Sequence, residues 1–233
     1  MIKRLATAYS SRSRKKRAQI LMQFLNPSEG DVILDLGSGD GSHIASIVPF
    51  RKNVYIADID KHALERGKTM FGFNIVHLDE NGTIPFPDKT FDIVFCSSVI
   101  EHVSVDKDSL TTFRSNRDFA SMAFQRQLKF ADEIRRVGKR YFDQTPYKYF
   151  IIESHTWLPF VILFLPRSWQ IGIVRFLNRF WPKKTQPDWN LLTIQQMRTL
   201  FPDGEIMLEK QLGLTKSVIA VKGDRKYRDQ PHA

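Results

Sequence analysis

The amino-acid sequence predicts an α/β protein with a doubly wound, mostly parallel sheet of seven strands. Three observations support this fold class. Short apolar runs alternate with amphipathic stretches of helical spacing, which is the pattern of repeated strand–helix–strand units. A glycine-rich turn follows the first apolar run, where the chain must pass tightly from strand to helix. Two apolar runs near the end are joined around Gly213, which predicts an antiparallel hairpin.

The predicted elements follow one another in a regular order. Strands are predicted at residues 32–36, 53–59, 73–78, 91–97 and 140–145, and the closing hairpin at 205–212 and 217–221. Helices are predicted at residues 13–25, 42–48, 61–70, 106–137 and 194–201. The last helix begins with a capping box, because Thr193 and Gln196 can satisfy the free N–H groups of its first turn. Residues 156–190 form a helical insertion between strands five and six.

Three alternating glycines, Gly37, Gly39 and Gly41, follow the first strand, and the second strand ends at Asp58. Glycines let the backbone turn sharply and let a ligand approach closely. The next helix offers free N–H groups, and a carboxylate at Asp58 can accept hydrogen bonds from both hydroxyls of a ribose. The dinucleotide fingerprint needs a third glycine at the position of Ser42. The spacing therefore predicts a nucleoside-containing cofactor other than a dinucleotide.

With Leu34, Asp35 and Leu36 before it, the G-x-G-x-G loop resembles motif I of the class I S-adenosylmethionine-dependent methyltransferases. The stretch 84–103 resembles the fourth-strand region of the small-molecule branch of that superfamily. The resemblance covers residues 32–103 and continues more weakly to about 223. It implies a Rossmann-like methyltransferase fold, an enzyme, and S-adenosyl-L-methionine as the cofactor.

The resemblance also implies the cofactor contacts. They are Asp35, Gly37, Ser38, Gly39, Gly41, Asp58, Ile59, Asp79, Asn81 and Ser97. In the family an acid after strand three bonds the adenine amino group. The loop is one residue longer here than the commonest pattern, so Asp79 and Asn81 are alternatives, and Asp79 could instead be a turn residue. Asp35 either lies near the methionine end of the cofactor or organises the loop backbone.

Two histidines are the candidate catalytic residues. His102 follows Glu101 just past strand four, at the carboxyl ends of the strands, where a proton could be taken from a hydroxyl or amine. Alternatively, Glu101 and His102 cap and orient the next helix. His155 lies in a stretch that resembles a family subgroup with T-P, E-x-H and L-P-F pieces, which places it on the substrate side. It is a base, a substrate contact or a structural residue. The sequence predicts no metal site.

The chain is basic, with a net charge of +10, and no acidic residue precedes Glu29. This excess favours an acidic partner, such as nucleic acid, an anionic membrane or a phosphorylated substrate. The alternative is a solvated basic arm that leads into the first helix, and the resemblance implies that this helix covers the cofactor. Against nucleic acid, the motif Asn/Asp-Pro-Pro-Tyr/Phe is absent after strand four.

Residues 157–181 are rich in apolar and aromatic side chains but too short to span a bilayer. Ile173, Val174, Phe176, Leu177, Phe180 and Trp181 are predicted to share one helical face, with the basic side chains opposite. Such a helix lies in a membrane interface or closes over the substrate pocket as a lid. We favour the second role, in which the helix is a lid that closes on a hydrophobic or glycan-linked acceptor.

The predicted organisation is a basic arm and capping helix at residues 1–31, a methyltransferase domain at 32–223 and a flexible tail at 224–233. The single cysteine, Cys96, excludes a disulfide framework and favours a reducing, cytoplasmic location, with or without membrane association. The predicted function is in-line methyl transfer to a small or lipid- or glycan-linked acceptor. The alternatives are an RNA methyltransferase and a non-catalytic, cofactor-binding partner subunit.

Overall fold

The computed structural model describes residues 2–79, 82–110, 112–181 and 183–223, and of residues 2–13 and 107 the backbone alone. The predicted tail at 224–233 lies outside the described residues. One sheet forms the centre. Its strands are β1 (Ile33–Leu36), β2 (Val54–Asp58), β3 (Asn74–His77), β4 (Phe91–Ser97), β5 (Gly138–Pro146), β6 (Glu205–Gln211) and β7 (Leu214–Lys222).

The strand order is β3-β2-β1-β4-β5-β7-β6. The first five strands in this order are parallel, and β7 runs antiparallel to both β5 and β6. The predicted seven-stranded, mostly parallel sheet is confirmed. Since β1 pairs with both β2 and β4, the chain winds outward in two directions from β1. A ligand crevice is expected at the carboxyl ends of the strands beside such a switch point.

Helices pack on both faces of the sheet. They are α1 (Ile2–Leu25), α2 (Ser42–Ala45), α3 (Lys61–Phe71), α4 (Asn116–Val137) and α6 (Ile194–Leu200), whereas α5 (Arg167–Leu177) packs in a small separate cluster with Trp189 and Leu191. Buried side chains such as Ile134 of α4 and Met197 of α6 join the core on one face. Leu21 of α1 and Leu64 of α3 join the core on the other face. The continuous apolar run of β4 is buried on both sides, as in other central parallel strands.

Three predicted helix boundaries are wrong. The helix predicted from residue 106 begins at Asn116, because the Ser115 side chain accepts a hydrogen bond from the Asp118 N–H and caps it there. The helix predicted to end at 48 ends at Ala45, where the Arg51 guanidinium donates a hydrogen bond to the Ala45 carbonyl oxygen. Helix α1 begins at residue 2 and not at 13, so the predicted basic arm is mostly helical.

The insertion between β5 and α6 is present, but its predicted apolar face is only partly right, because Val174 is buried whereas Phe176 and Phe180 are not. Helix α5 ends at Leu177 and buries Arg167, Gln170, Ile171 and Val174. Phe176 and Phe180 are 59% and 61% exposed instead. The polar Arg167 and Gln170 are buried because they bond within the insertion, which amphipathic spacing does not reveal. Among the described residues, no helix is both long enough and apolar enough to cross a membrane.

Candidate active site

The glycine loop after β1 has the backbone that its spacing predicted. Gly37, Gly39 and Gly41 have φ angles of 70°, 58° and 71°, which favour glycine. A Cβ at Gly37 would lie 2.5 Å from the Val99 side chain, and one at Gly41 would lie 2.8 Å from Ile56. At Gly39 no described atom would lie within 4 Å. Packing therefore explains two of the glycines, whereas Gly39 leaves room for a ligand to approach the backbone.

Asp58 ends β2 and holds this loop. Its Oδ2 atom accepts a hydrogen bond from the Gly39 N–H at 2.8 Å, and its Oδ1 atom accepts one from the Asp60 N–H at 2.9 Å. Each carboxylate oxygen has a second lone pair, so both can still accept a bond from a ribose hydroxyl. Asp58 is thus placed to fix the loop and to bind a sugar at once.

A cleft of about 480 Å³ lies along the carboxyl edge of the sheet. This volume is typical of small-molecule sites. The cleft brings together four of the predicted cofactor contacts and one predicted catalytic residue. They are Gly37, Asp58, Ile59, Asp79 and His102.

The other predicted cofactor contacts that the structure describes are not on the cleft wall. Asn81 lies outside the described residues, so Asp79, which lines the cleft, has no described competitor for the adenine contact. Ser38, Gly39 and Gly41 belong to the glycine loop but do not line the cleft. Asp35 and Ser97 also lie off the wall, in a polar layer between α1 and the sheet.

That polar layer contains several buried polar atoms, some of which have no hydrogen-bond partner among the described residues. Ser97 Oγ donates to Gln144 Oε1 at 2.8 Å and accepts from Arg17 Nη1 at 3.1 Å. Among the described residues, several buried atoms near the carboxyl ends of β1, β4 and β5 have no hydrogen-bond partner. They include Asp35 Oδ2, Ser38 Oγ and Gln144 Nε2, whereas Arg17 Nε lies 3.5 Å from Glu209 Oε2. This layer offers hydrogen-bond acceptors to an ammonium group and hydrogen-bond donors to a carboxylate, which are the two charged groups of an amino acid.

Sequence reasoning missed Arg17. It predicted that the first helix covers the cofactor, but nothing in the local sequence distinguishes Arg17 from the neighbouring basic residues. Burial lowers the pKa of Arg17, against the opposing charge of Glu209 at 3.5 Å. On the acidic side of the layer, burial and the nearby charge of Asp58 raise the pKa of Asp35 well above its usual range.

The predicted catalytic histidines meet at the other end of the cleft. The rings of His102 and His155 cross edge to face with their centroids 4.7 Å apart. Glu101, which is fully buried, lies with its Oε1 atom 3.9 Å from His155 Nε2. Its Oε2 atom accepts a hydrogen bond from the Thr145 hydroxyl at 2.9 Å, whereas Oε1 has no hydrogen-bond partner among the described residues. These residues come from the ends of β4 and β5 and from the insertion.

Each histidine is oriented by a carboxylate through its Nδ1 atom. His102 Nδ1 lies 3.0 Å from Asp188 Oδ1, and His155 Nδ1 lies 2.7 Å from Glu153 Oε1. Since a carboxylate accepts, Nδ1 is the protonated nitrogen in both rings, which leaves Nε2 for another partner. Trp189 stacks on His155 at a centroid distance of 5.1 Å and shields it from solvent.

The surroundings of His102 and Glu153 shift the pKa values of these two groups. Burial disfavours the charged form of His102, but the hydrogen bond to Asp188 and the charge of Glu101 outweigh it and raise its pKa. Burial likewise opposes ionisation of Glu153, yet its hydrogen bonds with His155 and Thr156 lower its pKa. The E-x-H motif signalled Glu153, but no sequence feature pointed to Asp188.

Asp188 is held in place from two sides. The buried Gln127 side chain of α4 donates to the Asn190 carbonyl at 2.9 Å, and the Asn190 amide donates back at 2.9 Å. Arg167 of α5 donates to the Pro187 carbonyl and lies 3.8 Å above the Phe119 ring. Burial lowers the pKa of Arg167 to about 10, although Asp188 opposes this. The segment that carries Asp188 is therefore fastened to both α4 and α5.

Between the glycine loop and the histidines, the cleft has apolar and basic walls. Val103, Val105 and Phe130 supply the apolar surface, and Arg126 and Lys129 supply positive charge. Arg126 also makes a two-pronged ion pair with Asp106, with both N···O distances at 2.8 Å.

The residues present fit S-adenosylmethionine. Asp79, Asp58 and the open backbone at Gly39 would hold its nucleoside. The unpartnered polar atoms of Asp35 and Gln144, with the nearby Arg17 guanidinium, would hold its amino-acid end. Val99 and His102 line the same cleft, where an acceptor would meet the cofactor.

The comparisons with known proteins agree with this geometry. A family model described as a methyltransferase domain matches residues 34–117. The PH0226 protein from Pyrococcus horikoshii OT3 superposes with a TM-score of 0.52 at 15% identity, over 92% of this chain and 91% of that one. A SAM-dependent methyltransferase from Archaeoglobus fulgidus superposes with a TM-score of 0.50 at 14% identity, over 90% and 94%. No curated protein sequence matches the chain.

The sheet order and the glycine loop with Asp58 are those of the Rossmann-like methyltransferase fold, and residues 34–117 match a methyltransferase domain. With this domain the chain is an enzyme, and its cofactor is S-adenosylmethionine.

Proposed function

We propose that this enzyme methylates a small acceptor, or the exposed end of a lipid- or glycan-linked one, at an atom held beside His102. The observation that carries the proposal is the histidine cluster at the end of a cleft that begins at Asp58. The cleft is too small for a folded macromolecule, but it admits one end of a long molecule. Its apolar wall at Val103, Val105 and Phe130 suits a hydrophobic acceptor.

The cofactor supplies a methyl group on a sulfonium, which is a good leaving group. What remains for the chain is to hold the acceptor in line, exclude water and activate the reacting atom. His102 is 38% exposed and faces the cleft, whereas His155 and Glu101 lie behind it. The proposed role of the cluster is to position a hydroxyl or amine and to favour loss of its proton.

The surface of the insertion supports the choice of a lipid-linked acceptor. Phe176 contacts Phe180 at a centroid distance of 5.1 Å, and Trp169 precedes Phe176 by two helical turns on the same face. All three are about 60% exposed, and Arg175 and Arg179 are exposed among them. Exposed aromatic residues beside basic ones are typical of helices that lie in an anionic membrane interface. We therefore propose peripheral membrane contact here, in place of the predicted lid.

Calorimetry and a labelled cofactor test the proposed function. We expect S-adenosylmethionine and its demethylated product to bind in the micromolar range, and NAD not to bind. Incubation with host extract should place labelled methyl in the lipid, glycan or small-molecule fraction. Saturable NAD binding without binding of either sulfur nucleoside, or label confined to RNA, would contradict the proposal.

Variants then separate cofactor binding from acceptor activation. His102→Gln should lower kcat by about a hundredfold or more, the usual contribution of proton transfer by a side chain. Its affinity for the demethylated cofactor should stay unchanged. His62→Gln, at an exposed site on α3, is the matched control and should change neither value.

A further inference from the structure

We propose that Glu101, His102 and His155 bind one divalent transition-metal ion at the acceptor end of the cleft. The role of this ion rests on the proposed function, but its binding does not. The sequence predicted no metal site, because Glu101 and His155 are far apart in the chain and no metal-ligand spacing links them.

The three side chains converge on one point. One ring nitrogen of each histidine and one oxygen of Glu101 all lie within 4.8 Å of one another. An ion such as Zn²⁺ needs ligand atoms about 3 to 3.5 Å apart, from its bond lengths of about 2.0–2.2 Å. Closing the site therefore requires shifts of about 1 Å, which side-chain rotation can supply.

The partners of these ligands are those of a metal site. A metal-binding histidine usually donates its other N–H to a carboxylate, which fixes the ring and raises its basicity. Both rings have this arrangement, through Asp188 for His102 and Glu153 for His155. A single general base needs only one histidine–carboxylate pair. Here two such pairs lie side by side, and the Nε2 atom of each histidine remains available as a ligand.

Glu101 provides an independent observation. It is fully buried, one of its oxygens is held by Thr145, and the other has no hydrogen-bond partner among the described residues. A buried carboxylate oxygen is costly to leave without a partner. Two cations lie within electrostatic range of Glu101, but the Lys183 amino group donates to the Ser154 carbonyl and Arg17 pairs with Glu209. A metal ion between Oε1 and the two Nε2 atoms would satisfy all three atoms.

The ligand set indicates the class of ion. Two imidazoles and one carboxylate suit Zn²⁺, Fe²⁺ and related ions, whereas Mg²⁺ and Ca²⁺ prefer oxygen ligands alone. Three protein ligands leave open positions for an acceptor oxygen. What such an ion supplies is Lewis acidity toward that oxygen, which favours loss of its proton to solvent.

Metal binding is tested on the tag-free full chain after chelator treatment. Titration with Zn²⁺ alone should give one site with a dissociation constant in the micromolar range or below, and Mg²⁺ should not compete. Co²⁺ should bind at the same site and give a visible absorption band. His102→Gln and His155→Gln should each weaken Zn²⁺ binding at least tenfold and abolish the Co²⁺ band. His62→Gln is the control and should bind both ions like the wild type.

The carboxylates behind the histidines provide a second set of variants that removes no ligand. Asp188→Asn and Glu153→Gln should weaken Zn²⁺ binding about 10- to 100-fold, as expected when the partner of a ligating histidine is lost. Unchanged affinity for the demethylated cofactor would show that each variant is folded. Absence of stoichiometric Zn²⁺ binding, or full binding by both histidine variants, would overturn the inference. Zn²⁺ binding without cofactor binding would instead overturn the proposed function alone.

Discussion

The sequence predicted the place of Asp58 in the fold but not all of its contacts. Its place at the end of the second strand was readable from the sequence, because an apolar run stops there at a set distance from the glycine loop. Its bond to the Gly39 N–H was not readable, because that bond depends on how β1 and β2 lie side by side. Local motifs also pointed to Asp79 and His102. Arg17 and Asp188 had no such signal, since each acts through residues remote in sequence.

Removing the Asp58 carboxylate should weaken cofactor binding. Asp58→Ala loses two charge-assisted ribose bonds and the bond to Gly39, so we expect a loss of about 1.5–3 kcal/mol, or roughly ten- to a hundredfold in affinity. Asp58→Asn should lose less, because its amide keeps one acceptor. Calorimetry with the demethylated cofactor measures both. Asp60→Ala, which removes only the cap of α3, should leave the affinity unchanged.

Asp203 should make the stability of the fold depend on pH. Burial opposes its ionisation, but hydrogen bonds from Lys222 and Tyr141 lower its pKa from 3.8 to about 2. A carboxyl group whose pKa is lower in the folded state stabilises the fold above the unfolded pKa. This contribution is therefore present above about pH 4 and is lost as the pH falls toward 2.

Asp203→Asn tests this contribution by denaturant unfolding. The side chain is 35% exposed, so solvent screens its ion pairs, and we expect a loss of about 1–2 kcal/mol at pH 7. The difference from wild type should vanish near pH 2. Asp88→Asn removes an ion pair of a carboxylate that is 75% exposed and should cost no more than about 0.5 kcal/mol. A loss from Asp203→Asn that does not depend on pH would contradict this explanation.

At the scale of elements, periodicity predicted which segments are helices better than it predicted their environment. The capping box of α6 is present as the sequence indicated, because both of its hydrogen bonds are local. The buried face of α5 was mispredicted, because it depends on Arg167 stacking on Phe119 of a distant helix. The start of α4 was missed because a serine caps a helix only where the chain before it is extended, and the local sequence did not show that residue 115 is such a place.

The exposed aromatic and basic side chains of α5 and of the turn after it should bind anionic vesicles. Phe176→Ser combined with Phe180→Ser removes apolar area that would enter the lipid interface, so partitioning should fall at least tenfold. Salt should weaken wild-type binding, since Arg175 and Arg179 contribute through charge. Thermal stability should change little, because both phenylalanines are exposed. Vesicle sedimentation measures the partitioning.

Leu212→Ser is the matched control for the vesicle experiment. Leu212 is 93% exposed on the turn between β6 and β7 and lies outside the insertion. Its replacement should leave partitioning unchanged. Wild-type partitioning near zero, with a loss of thermal stability in the double variant, would instead restore the lid predicted from the sequence.

At the scale of the whole molecule, the sheet was predictable because alternating strands and helices allow few arrangements. The meeting of His102 with His155 was not, because it needs the path of the insertion across the carboxyl edge of the sheet. Amphipathic spacing describes one helix at a time and says nothing about where a long insertion returns. The isolated bridge between Tyr147 and Leu192 shows that both ends of this insertion return to the same place.

Arg167 gives the molecule a thermodynamic consequence. It belongs to the helix whose outer face bears Trp169 and Phe176, and it bonds the residue next to Asp188. A vesicle bound to that outer face and a ligand bound at His102 are two binding events of one thermodynamic cycle. Each must therefore change the affinity for the other by the same factor. Any change that vesicles make in Zn²⁺ affinity must therefore equal the change that Zn²⁺ makes in vesicle affinity. A factor of one, measured by titration with and without vesicles, would show that the membrane face and the reacting end act independently.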